Sequence, residues 1–260
     1  VIVCIDGKAH TSTYFQEFVN LSSNERENSK NYIFDNYDLI LSTIRKNISC
    51  PIIIHNIETP SFPTLGILDY QKKYYQVNSI RKLNCDILEL TEKFNDVYVI
   101  DIDILKSRLG ESNFKDNRYW YIGRAPYSRD AYNELSKEYL KFIKSFIGNI
   151  KKCLIVDLDN TLWGGIIGED GVKGVKVGGS YPGSAFSDFQ KLLLEYYSKG
   201  ILLAICSKNN EADALEALSN IPSMILRPNH FVVIKANWND KASNIKEIAN
   251  ELNISLESIV

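Results

Sequence analysis

Apolar residues in this chain follow two rhythms that alternate along its length. Short unbroken runs, VIVCID at 1–6, PIIIHN at 51–56 and VYVIDI at 97–102, predict strands buried on both faces. Between them, near 31–48, 66–94 and 130–147, apolar residues recur every three or four positions, as on a helix. Leu135, Tyr139, Phe142, Ile143 and Phe146 show this spacing in the last stretch. The second part repeats the scheme. Leu154–Val156, Ile201–Cys206 and Phe231–Ile234 read as strands, and 182–199, 210–219 and 240–253 as helices, with Gly200 ending the first of these helices. Strands that alternate with helices build parallel sheets covered on both faces, so the expected class is α/β, in two three-layer units.

The run Leu154-Ile155-Val156 delivers Asp157 and Asp159 to the carboxyl end of its strand, where open α/β sheets bind ligands. Residues two apart on a strand point the same way. Two carboxylates so placed can divide a phosphoryl transfer: one attacks phosphorus and becomes an aspartyl phosphate, the other moves a proton to and from the leaving oxygen. Both are hard oxygen donors suited to Mg²⁺. A bare D-x-D is more often a solvated acidic turn; D-x-D-x-T-L after a buried strand favours function. Ser207, at the end of a second strand, can donate its hydroxyl to a phosphoryl oxygen. Lys241 opens a predicted helix, so its ammonium and the helix amides could face one anion. Alone, Ser207 reads as a helix cap and Lys241 as a surface lysine; their order after Asp157 gives them weight. Thr161 fits a role in shaping the loop after the two aspartates.

These segments resemble a known family. DLDNTL at 157–162 resembles the first motif of the haloacid dehalogenase (HAD) superfamily, and DLDNTLWGGIIGEDG its FkbH-like branch, subfamily IIIC. CSKNNEADALEAL, from Cys206, is similar to the second motif and NWNDKASNIKEIANEL, around Lys241, to the third. The resemblance implies an uncapped HAD-like Rossmannoid phosphatase domain over 149–260, with Asp157 and Asp159 catalytic, Thr161, Ser207 and Lys241 on the phosphate, and Mg²⁺ on Asp157 and Asp159. The fourth, acidic motif would follow the strand that starts in ISLESIV; a third acidic ligand is therefore expected beyond Val260, and the domain reads as truncated. Residues 1–148 resemble the SGNH-hydrolase-like domain that precedes the HAD unit in this branch, in a degenerate form: no G-D-S segment and no D-x-x-H pair occurs. Of the three histidines, His10, His55 and His230, His55 is expected to hold a strand end and not to act as a base.

Spacing bears on substrate size. Neither the interval Thr161–Ser207, with a Gly-rich flap at 164–179 and one helix, nor Ser207–Lys241 can hold a folded cap domain. An open site would admit a large substrate or a partner's prosthetic arm. Family proteins take a glyceryl unit from a donor such as 1,3-bisphosphoglycerate, remove phosphate and load an acyl carrier protein; that acyl transferase activity is the leading expectation. A plain Mg²⁺-dependent phosphatase of a small metabolite or phosphoprotein is the alternative, and a non-catalytic interaction module fits the intact motifs poorly. Cys206, beside Ser207, is conceivable as an acyl relay, although strand alternation aims it at the other face. The segment 115–128, with Arg118 and Arg124 among aromatics, suits an interdomain linker better than an anion cradle.

Composition narrows the rest. The chain has 260 residues, 45% of them hydrophobic, and a net charge of −2, with no basic patch for nucleic acid and no apolar stretch of membrane-spanning length. Its five cysteines form no C-x-x-C pair and three sit in strand-like runs, which suggests reduced thiols and a cytoplasmic setting.

Overall fold

A computed structural model describes residues 1–5 and 11–260; His10, and Asp6 at the end of the first predicted strand, lie outside the described residues. The chain divides into two compact units, Val1–Phe142 and Ile143–Val260.

In the first unit, β1 (Ile2–Val3), β2 (Ile52–His55) and β3 (Val97–Ile100) form a parallel sheet in that order. Its main helices are α1 (Ser23–Asn47), α2 (Gln76–Thr91), α3 (Ile102–Leu109) and α4 (Arg129–Phe146), the last extending past the division between the units. Strand alternation sorts β2 between two cores. Ile52 and Ile54 pack with Tyr37, Leu41, Ile80 and Leu83, whereas Ile53 packs with Ile102, Leu105, Phe114 and Leu135. Helices thus cover both faces of the sheet, and every residue of β2 is buried.

Two elements depart from the periodicity. Helix α1 begins at Ser23, ahead of the apolar pattern, because Ser22 and Glu25 form a capping box: the Ser22 hydroxyl accepts from the Glu25 amide at 3.3 Å and the Glu25 carboxylate from the Ser22 amide at 2.8 Å. The expected helix over 66–94 is broken into a 3₁₀ segment, Gly66–Gln71, and α2. The fully buried Asp69 causes the break. Its carboxylate accepts from the amides of Gln76 at 3.3 Å and Val77 at 2.9 Å, groups of the first turn of α2 that have no partner inside the helix. The stretch 115–128 lies within the first unit and includes the helix Asn117–Gly123, so it is not a linker between units.

His55 does hold the end of β2. It is buried, its Nε2 lies 2.6 Å from the Tyr139 hydroxyl, and the two rings stack. Its carbonyl accepts from the Tyr37 hydroxyl at 2.8 Å.

The second unit carries the parallel sheet β4 (Cys153–Val156), β5 (Leu202–Ser207), β6 (Phe231–Ala236), in that order. Ile259 pairs in parallel with Cys153 along the other side of β4. Helices α5 (Gly183–Ser198) and α6 (Glu211–Asn220) cover the face carrying Leu203 and Ile205; α7 (Lys241–Glu251) covers the face with Cys153, Ala204 and Cys206. The flap closes as a hairpin: the amides of Gly164 and Lys176 each donate to the other's carbonyl, at 3.0 and 2.8 Å. Gly165 permits the tight turn, since its φ is +102° and a Cβ there would meet the Asp170 carboxylate at 2.6 Å. No inserted domain separates Thr161 from Ser207 or Ser207 from Lys241. Among the described residues, no helix is long and apolar enough to cross a membrane.

Burial pushes the His55 imidazole down to about 4. The unfolded chain, with an ordinary histidine near 6.5, therefore binds the proton first, and stability falls as pH drops from about 6.5 to about 4. Unfolding midpoints measured across that window should decline in the wild type and decline less in His55→Gln; parallel curves would contradict the assignment.

Candidate active site

Three strand ends build the site. Asp157 follows β4 directly, Ser207 is the last residue of β5, and Lys241 is the first of α7, after β6. The start of α7 is set by Asp240, whose side chain accepts from the Ser243 amide at 3.0 Å. That cap fixes where Lys241 leaves the backbone. Its Nζ lies 2.5 Å from Asp157 Oδ2, and the Ser207 hydroxyl donates to Asp157 Oδ1 at 2.5 Å. The Leu158 amide adds a third bond, to Oδ1, at 2.9 Å. Ser207 is buried, but the Asp157 and Lys241 side chains are 37% and 42% exposed, so solvent or a solute reaches the pair.

Burial by itself would raise the Asp157 carboxyl. The hydrogen bonds from Lys241, Ser207 and Leu158, with the lysine charge, outweigh it and hold the group below its ordinary range. Asp157 is consequently a carboxylate at neutral pH, the form a nucleophile requires.

Asp159 is held differently. Its Oδ1 accepts from the indole N–H of Trp163 at 2.9 Å and from the Ile167 amide at 3.1 Å. Its Oδ2 accepts from the Asn209 side-chain amide at 3.1 Å, and that same nitrogen donates to Ser207 Oγ at 3.0 Å. Lys241, Asp157, Ser207, Asn209 and Asp159 therefore form one continuous polar chain. Trp163 and Asn209 are buried, so these supports are rigid. Sequence reasoning assigned neither residue a role. Their signals were positional only, an indole four residues after Asp159 and an amide two after Ser207.

At Thr161 the backbone amide donates to the Leu158 carbonyl at 3.1 Å. Beside it, Asn160 takes a φ of +55° and its side-chain oxygen accepts from the Gly165 amide at 3.0 Å. Cys206 points away from Ser207, into the core with Cys153, Ala204, Val233 and Ile248. Burial raises its thiol, an effect that outweighs the nearby Lys241, and a buried thiol of this kind is a poor acyl relay.

Asp157 and Asp159 can present hard oxygen donors to a divalent cation. Asp157 Oδ2 accepts from Lys241 and keeps a lone pair. No cluster of three or more His, Cys, Asp or Glu suited to a metal occurs among the described residues. That donor set suits Mg²⁺, which binds through one or two carboxylates and retains several waters.

No family model matches the chain, and no curated protein does. Nearly the whole of this chain is similar to part of a solved structure: the crystal structure of the N-terminal part of protein BF1531 from Bacteroides fragilis, containing a phosphatase domain and complexed with Mg. The TM-score is 0.81 at 28% identity, over 96% of this chain. The chain shares that fold. It spans 65% of the length of the solved chain.

Because Lys241 is a main cause of the depressed Asp157 carboxyl, Lys241→Met should raise it. Carbon NMR of the Asp157 carboxyl across acid pH would show the midpoint move upward; an unmoved midpoint would remove Lys241 from the account.

Proposed function

We propose that the second unit is a Mg²⁺-dependent phosphatase of HAD type that works through an aspartyl phosphate on Asp157. The observation that carries this reading is the Asp157 carboxylate fixed between the Ser207 hydroxyl and the Lys241 ammonium, with Asp159 oriented close by. Two donors aimed at the carboxylate oxygens are also aimed at the place where a phosphoryl group would join them. In the first step Asp157 attacks phosphorus, the bond to the leaving oxygen breaks, and Asp159 supplies that oxygen with a proton. In the second, Asp159 takes a proton from the water that attacks the aspartyl phosphate, which releases phosphate and restores Asp157. Ser207 and Lys241 hold the phosphoryl oxygens throughout, and Thr161 keeps the loop in shape. Bound Mg²⁺ would neutralise charge on those oxygens, with the Asp157 carboxylate and the Asp159 carbonyl as its protein donors. The Mg in the similar solved structure supports Mg²⁺ as the cation.

A finer proposal concerns the substrate. The likeness of DLDNTLWGGIIGEDG to the FkbH-like branch, with the open site, supports an acyl phosphate donor such as 1,3-bisphosphoglycerate and transfer of the glyceryl group to an acyl carrier protein. An acyl phosphate is already activated, so the carrier's thiol can take the acyl group without ATP. On this reading the first unit is a degenerate SGNH-like domain that binds substrate or partner, and the five free thiols suit a cytoplasmic setting. Mass spectrometry of a carrier protein incubated with donor, Mg²⁺ and enzyme decides the matter. Added glyceryl mass supports transfer; free glycerate and phosphate with an unmodified carrier leave the plain phosphatase.

Asp157→Asn preserves shape and removes the nucleophile, so phosphate release should fall by roughly three or more orders of magnitude while the fold persists. Near wild-type release from the folded variant would refute the mechanism. Asp159→Asn should cost less with a good leaving group than with a poor one, because assistance by an acid then matters less.

A further inference from the structure

Trp238 lies in the loop between β6 and α7, three residues before Lys241, and is 70% exposed. Isolated exposed apolar residues are ordinary on protein surfaces. This one differs because the structure fixes it. Its indole N–H donates to Asn210 Oδ1 at 3.2 Å, and the Asn210 amide nitrogen is itself bound to Asp213 at 3.2 Å. The loop is also stitched down: the Asn237 amide donates to the Ser207 carbonyl at 3.1 Å, the Asn239 amide to Asn237 Oδ1 at 3.0 Å, and Asn244 reaches the same oxygen at 2.9 Å. Both segments that hold the indole also supply the polar chain around Asp157. Asn210 follows Asn209 and Ser207, and Trp238 precedes Lys241. A large flat ring is thus displayed to solvent on the two loops that carry Asn209 and Lys241, with its indole N–H bonded across from one loop to the other.

We propose that Trp238 is a stacking platform for a planar, π-bearing group carried by the phosphoryl ligand. This rests on Asp157, Ser207 and Lys241 forming a phosphoryl site, and it goes with the plain phosphatase reading, since a glyceryl donor carries no aromatic ring. The ring selects among ligands whose phosphoryl groups are alike, and Asn210 is its positioning residue. An aromatic face tolerates any flat partner, so the preference is for shape and π character.

Binding of phenylphosphonate and methylphosphonate, measured by calorimetry with Mg²⁺ present, tests the proposal without requiring turnover. Wild-type protein should bind the phenyl compound about tenfold more tightly, in line with the usual strength of stacking on an aromatic side chain. Trp238→Ala should erase the preference, and Trp238→Phe should retain most of it. Equal affinities in the wild type, including no binding of either compound, or an unchanged preference in Trp238→Ala, would overturn it. Failure of the catalytic reading shows elsewhere, as no turnover of p-nitrophenyl phosphate in a protein that still prefers the phenyl ligand.

Discussion

The second unit is organised around one carboxylate that would be costly to place without partners. Asp157 stands at the end of a buried strand, where its charge meets little water on the protein side. It is tolerated because β5 and α7 bring a hydroxyl and an ammonium to its two oxygens. Those partners come from separate strand ends, so a parallel sheet with all its carboxyl ends at one edge is the simplest framework that assembles them. The cap at Asp240 and the buried amide of Asn209 belong to the same solution: each fixes a neighbour of Asp157 and not Asp157 itself.

The first unit meets a similar problem with a different result. His55 also ends a central strand, but burial keeps it neutral. Asp69, fully buried, accepts from the amides that open α2. Polar side chains here terminate elements and turn the chain. The two units share an architecture, and in the second it presents an ionised group that solvent can reach.

Much of this was legible in the sequence because strand alternation and strand ends obey short-range rules. The apolar runs located β2, β4, β5 and β6; the positions of Asp157 and Ser207 followed from counting to the end of a run, and that of Lys241 from the start of the helix after β6. Periodicity failed where a side chain overrode it. The polar first turns of α1 offered no apolar stripe, and the capping box of Ser22 and Glu25 set the start instead. Over 66–94 the helical spacing persists through the break, because a buried aspartate, and not a change in pattern, bends the chain. Trp163 and Asn209 stayed hidden for another reason: a residue that supports an active group through one hydrogen bond leaves no period behind.

The amide of Asn209 has a consequence for how the site tolerates change. One nitrogen serves both Ser207 and Asp159, so the hydroxyl and the carboxylate share a support although no bond joins them directly. Groups linked in this way respond as a unit. The free-energy costs of altering Ser207 and Asp159 are therefore coupled, and the damage from changing both differs from the sum of the separate losses.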